Sequence, residues 1–137
     1  MSYRDAERLA DIQAAIDAIR AHLERGTLAD GLVFDAVRMR LLEIGEAVKA
    51  LPGDLLSARP EIPWQQIARM RDHLAHRYFD TAHAILQATV DEDLPALEIA
   101  VAALAGSLRA HEDEGADRDE SPDRSIRTTE REAEAGP

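Results

Sequence analysis

Arg69-Met70-Arg71-Asp72-His73-Leu74-Ala75-His76-Arg77-Tyr78-Phe79-Asp80 is the stretch on which the reading of this chain turns. Wound as a helix at about 100° per residue, and extended back to Trp64, it places Trp64, Ile67, Met70, Leu74 and Ala75 on one broad apolar face. Arg71 and Tyr78, seven apart, fall in the middle of that same face. An unpaired guanidinium is costly to bury, so Arg71 requires a partner: a carboxylate, a carbonyl, or an anion in a cleft. Asp72 and His76, four apart, share the edge of the face, where the carboxylate would orient the imidazole and raise its basicity. On a regular helix His76 lies about 140° around from Arg71. The two meet on one group only through the length of the arginine, a helix distortion, or a second copy of the chain.

These residue types suit metal-independent cleavage of RNA. A base removes the proton of the ribose 2'-hydroxyl, a cation stabilises the charge growing on the phosphate, and an acid protonates the leaving 5'-oxygen. His76 fits the proton transfers, with an unperturbed pKa of about 6.5. Arg71 fits the phosphate, since its planar fork binds two oxygens at once. The spacing alone also allows a purely structural reading. There Arg71 pairs with Asp72 or Glu46, His76 is a surface residue, and Tyr78 is core. His73 and His76 form H-x-x-H, but a metal site would need further ligands that the sequence does not offer, so no metal or cofactor is expected. Glu46 either supports the site from the preceding helix or pairs structurally with an arginine.

Outward from this segment the chain reads as all-α. Leu9, Ile12, Ile16, Ile19 and Leu23 step by three and four along a helix from about Tyr3 to Arg25, opened by Ser2 with Asp5 as a capping box and closed by Gly26. Val37, Leu41, Ile44, Val48 and Leu51 do the same from about Leu32 to Leu51, with Asp30 as N-cap and Pro52-Gly53 as stop. Residues 52–63 carry three prolines and predict a loop with at most one helical turn. After the motif helix, a short helix over about Thr81–Ala88 is expected. Asp91 is then expected to cap a last helix bearing Leu94, Leu97, Val101, Leu104 and Leu108. Residues 1–110 form the expected domain, about five helices in all.

Residues 111–137 hold ten acids, four arginines and one large apolar residue, Ile126, so disorder is expected there beyond a turn or two. The net charge is -11, which does not draw nucleic acid by its overall field; any RNA must be met by a local arginine cluster. The absence of cysteine fits a reducing cytoplasm. The start of the chain lacks the apolar core of a signal peptide, and no apolar run approaches the roughly 20 residues of a membrane span, so a cytoplasmic protein is expected.

Arg71 to Tyr78 fits the R-x4-H-x-Y pattern and resembles the HepT-like toxins of the HEPN superfamily. Leu42-Glu43-Ile44-Gly45-Glu46-Ala47 resembles that family's "IGEA" segment. Ile62-Pro63-Trp64-Gln65-Gln66-Ile67 resembles its lead-in to the motif, and Asp93-Leu94-Pro95-Ala96-Leu97 its start of the last helix. These segments span most of residues 4–110 in order. Asp72 stands where the family commonly has Asn, a departure that bears on rate.

The resemblance implies an antiparallel helical bundle that dimerises, with the motifs of two protomers lining one cleft. It implies a toxin with ribonuclease activity and Arg71 and His76 as its catalytic pair; Asp72 and Glu46 are candidate supports by their placement alone. It further implies a minimal nucleotidyltransferase antitoxin that transfers AMP from ATP to Tyr78. A homodimer is also expected because Trp64, Ile67, Met70 and Leu74 would otherwise leave an apolar patch in water. The alternative from another class is a non-catalytic binding partner of a nucleotidyltransferase; a third is a purely structural helical dimer.

Overall fold

The computed structural model describes residues 3–75 and 79–119. Among the described residues every regular element is helical: α1 (Tyr3–Arg25), α2 (Gly31–Ala50), the one-turn α3 (Gly53–Leu56), α4 (Trp64–Ala75), α5 (Phe79–Ala88), a π turn (Thr89–Asp93) and α6 (Leu94–Asp119). The five longer helices form an antiparallel bundle with α2 at its centre, packed against α1 on one side and α4 on the other, while α6 lies along α1.

Residues 26–30 reverse the chain between α1 and α2. Asp30 is extended, with ψ of 122°, and its carboxylate accepts from the Leu32 backbone N–H at 2.9 Å, relieving one of the orphan donors of the first turn. The three expected stripes pack as the core. Leu9, Ile12, Ile16 and Ile19 are fully buried, Leu23 packs at their edge, and Val37 to Leu51 and Leu94 to Leu108 are buried in turn. Arg20 and Glu98 join α1 to α6 by an exposed ion pair at 2.8 Å.

Two expectations are corrected here. Trp64, Ile67, Met70 and Leu74 form no open patch: each is 9% exposed or less and packs into its own protomer. Helical phase tells which residues share a face, and in this bundle that face meets α2 and α5. The apolar argument for a dimer therefore falls.

Asp91 caps nothing. Chain 79–119 runs through as helix, and Asp91 sits inside the π turn, its carboxylate accepting from Gln87 Nε2 at 3.0 Å. The Leu94 N–H reaches back five residues to the Thr89 carbonyl. Pro95 supplies the reason: it has no N–H for the Asp91 carbonyl, and its ring collides with that oxygen in a regular helix. One extra residue in the turn moves the carbonyl aside. α6 also continues to Asp119, about two and a half turns past Ala110 at 3.6 residues per turn, although Leu108 is the last of its apolar residues to reach the core.

Candidate active site

The motif helix is seated by three contacts from sequence outside the motif. Pro63 immediately precedes α4, its carbonyl accepting from the Ile67 N–H at 3.1 Å, and the Trp64 indole N–H donates to the Arg59 carbonyl at 2.9 Å. Gly45 of α2 then lets α4 come close. A Cβ there would stand 3.1 Å from the Ile67 carbonyl oxygen and 3.6 Å from Arg71 Cβ. At the far end, the Arg38 guanidinium donates through Nε and Nη2 to the Leu74 carbonyl, at 3.2 and 2.6 Å. That oxygen is one of the last four carbonyls of α4, which lack partners within the helix.

Arg71 stands at the seam so formed. Its Nη1 pairs with Glu46 Oε1, one residue beyond Gly45, and the two side chains are about half exposed, 51% and 47%. Arg71 is thus not buried amid the apolar face. The turn of α4 that carries it brings its Cβ against Gly45 and sends its head group to the rim. Of the partners open to it, the structure selects Glu46. Asp72 and His73 are exposed on the same helix. His76 and Tyr78 lie outside the described residues, as does any contact between His76 and Asp72.

Two concavities flank α4 and α2. A groove of about 650 Å³ runs between α1 and α2, with Ala14, Glu46, Ala47 and Ala50 among its lining residues and Arg40 paired to Glu43 at 2.9 Å on its wall. A cleft of about 460 Å³ opens on the other flank of α4. Ile67, Met70 and Ile85 line it from within, and Gln66, Arg69, His73 and Asp93 border it. Burial, and secondarily the charge of Glu92, push the Asp93 carboxyl above its ordinary value. Thr89, buried in the same wall, spends its hydroxyl on the Ile85 carbonyl at 2.7 Å.

Sequence reading left Asp72 and Glu46 open as partners of Arg71 in its structural alternative, and the Glu46 pair is the one formed. It missed Arg38, Gly45 as a contact and the Asp93 cleft. Arg38 had a signal: Phe34, Arg38, Leu41 and Gly45 fall on one face of α2, so an arginine interrupts a stripe that packs on α4. Among the described residues no group of three or more His, Cys, Asp or Glu could hold a metal ion, and no helix is long and apolar enough to cross a membrane.

An all-helical bundle whose α2 glycine and glutamate seat the arginine of R-x4-H-x-Y defines a HEPN-type domain. Residues 12–104 match the family model "Ribonuclease HepT-like", and the chain belongs to that family. It is similar to a protein of Thermococcus cleftensis named "Probable ribonuclease HepT", 42% identical over 94 residues, which cover 66% of this chain and 86% of the relative. Two further relatives are each described as a "Putative RNase". One, from Caldanaerobacter subterraneus, is 44% identical over 44% of this chain and 54% of its own length. The other, from Methanocaldococcus jannaschii, is 41% identical over 50% of this chain and 56% of its own length. No solved structure matches.

Proposed function

We propose that this chain is a toxin of a toxin–antitoxin pair that cuts RNA without a metal, with Arg71 and His76 as the reacting groups. The observation that carries this is the presentation of Arg71: a half-exposed guanidinium on the motif helix, steadied by one carboxylate, in a chain of the ribonuclease HepT-like family. Its Nη1 is engaged by Glu46, and a guanidinium has five N–H donors, so others remain for phosphate oxygens.

In the reaction His76 takes the proton of the 2'-hydroxyl, and the 2'-oxygen attacks phosphorus. The bond to the 5'-oxygen breaks as that oxygen gains a proton. The products are a 2',3'-cyclic phosphate and a 5'-hydroxyl. Arg71 stabilises the charge on the non-bridging oxygens. One imidazole serves as base or as acid at a given moment, so a homodimer that faces two motifs across one cleft supplies both. Asp72 would orient His76, and Glu46 holds Arg71.

The regulatory half of the proposal concerns Tyr78. A minimal nucleotidyltransferase antitoxin would transfer AMP from ATP to the Tyr78 oxygen, releasing pyrophosphate. Tyr78 follows His76 by two residues, so the added phosphate and purine would occupy the space that RNA needs.

The test uses the full chain with and without the antitoxin and ATP. Mass spectrometry is expected to find one AMP on Tyr78 and loss of RNA cleavage. Tyr78→Phe is expected to escape modification and stay toxic. An adduct on another residue would defeat the regulatory claim. Tight binding to a nucleotidyltransferase with no cleavage by the unmodified chain would favour the non-catalytic partner, the reading with which the net charge of -11 agrees.

A further inference from the structure

The cleft on the flank of α4 away from Gly45 and Arg71 has no part in the mechanism above. We propose that it is a base-recognition subsite that takes guanine, with Asp93 accepting from the pairing edge and Arg69 donating to the opposite edge; this rests on the reading of the chain as a ribonuclease.

Its volume, about 460 Å³, suits a nucleoside. Its inner wall is Ile67, Met70 and Ile85, of which Ile67 and Met70 are buried, so a flat ring would find an apolar surface. Its border carries one carboxylate and one guanidinium. Among the described residues no ion pair or hydrogen bond engages Gln66, Arg69, His73 or the carboxylate of Asp93. Thr89, by contrast, has its hydroxyl hydrogen committed to the Ile85 carbonyl, and Asp93 is the charged acceptor of that wall.

The pairing of groups selects the base. Guanine alone presents two adjacent N–H donors, at N1 and N2, which match the two oxygens of a carboxylate, while its O6 and N7 match an arginine fork. Adenine offers one amino group beside a bare ring nitrogen, and a carboxylate opposes the latter. Asp93 is partly buried with no partner among the described residues, and guanine would provide two donors.

Position argues in the same direction. His73 borders the cleft and His76 follows it by three residues. Three residues reach at most about 11 Å, so the cleft lies within a nucleotide or two of the proposed chemistry whatever path the chain takes. The π turn matters because it holds Thr89 and Asp93 in one wall, and such turns are often built at binding sites.

The test is binding of GMP, AMP, CMP and UMP to the full chain by calorimetry or amide shifts, which needs no catalysis. GMP is expected to bind on the order of tenfold or more tighter than AMP, the discrimination a bidentate contact gives. Asp93→Asn is expected to bring the two within about twofold by exchanging one acceptor for donors. Its thermal midpoint reports folding and is expected at or above that of the unaltered chain. Cleavage sites mapped on a mixed RNA should carry guanine at one fixed position, a preference that Asp93→Asn should erase while cutting persists. Equal binding of the four nucleotides, no binding of GMP at millimolar concentration, or a guanine preference unchanged in Asp93→Asn overturns the subsite. Guanine-selective binding without any cleavage would instead count against the ribonuclease reading and leave the subsite standing.

Discussion

Two charged residues that the motif does not include set conditions on it. Arg38 reaches from α2 to the Leu74 carbonyl with two donors, and the interaction is part-buried. Replacing it by methionine keeps most of the apolar stem and removes both donors. A hydrogen bond from a charged group is worth about 1.5–3 kcal/mol, so Arg38→Met should cost stability of that order in urea unfolding. Lysine cannot fork and should recover only part of the loss. Asp93 acts through pH. Its carboxyl is raised in the fold above the ordinary value of 3.8, so the folded state binds that proton more tightly than the unfolded chain. The resulting cost is fully present above the folded pKa and fades as pH falls toward 3.8. Asp93→Asn should therefore raise the thermal midpoint at neutral pH, and the gain should vanish near and below the ordinary carboxylate value. A gain that persisted in acid would show that charge burial is not its source.

At the scale of elements, the seam between α2 and α4 governs the site. Gly45 permits the approach, and the Ile67 carbonyl it faces belongs to a helix that cannot yield locally. Alanine at 45 gains about 1 kcal/mol of helix propensity. It must also push α4 away, and overpacking costs about 1–3 kcal/mol. Gly45→Ala should therefore be neutral to modestly destabilising by denaturation while shifting Arg71, whose backbone N and Cβ are the next atoms met, and lowering cleavage more than stability. Unchanged cleavage would mean that the seam does not set the arginine. The stripes of α1, α2 and α6, the Asp30 cap and the single turn at Gly53–Leu56 were legible in the sequence because each depends on local spacing or capping. The π turn was not. Asp93-Leu94-Pro95 reads equally as the opening of a new helix or as a proline accommodated within a continuing one, and only the packing of Leu86 and Leu94 into the same core decides. The inward facing of Trp64, Ile67, Met70 and Leu74 was hidden for a related reason: periodicity does not say whether a stripe meets its own chain or another.

At the scale of the whole molecule, we propose that the stable unit ends where apolar contact ends among the described residues. Leu108 is the last of α6's apolar residues in the core, and residues 120–137 contain one large apolar side chain, Ile126. Removing 120–137 should leave the thermal midpoint nearly unchanged; a large drop would show that these residues pack. With the motif helix's apolar face buried in the protomer, the case for a dimer passes to chemistry, the need for a base and an acid together. Sedimentation of the full chain should find a dimer, and mixing inactive His76→Ala with inactive Arg71→Ala chains should restore some cleavage if one cleft draws on both protomers. The central claim is that Arg71 and His76 cut RNA directly. Its most direct measurement is the reaction of purified chain with RNA in EDTA, with the new ends analysed. The account predicts 2',3'-cyclic phosphate and 5'-hydroxyl ends, lost together in folded Arg71→Ala and folded His76→Ala. Cleavage that stops in EDTA and returns with a divalent ion, or full cleavage by His76→Ala, would contradict it.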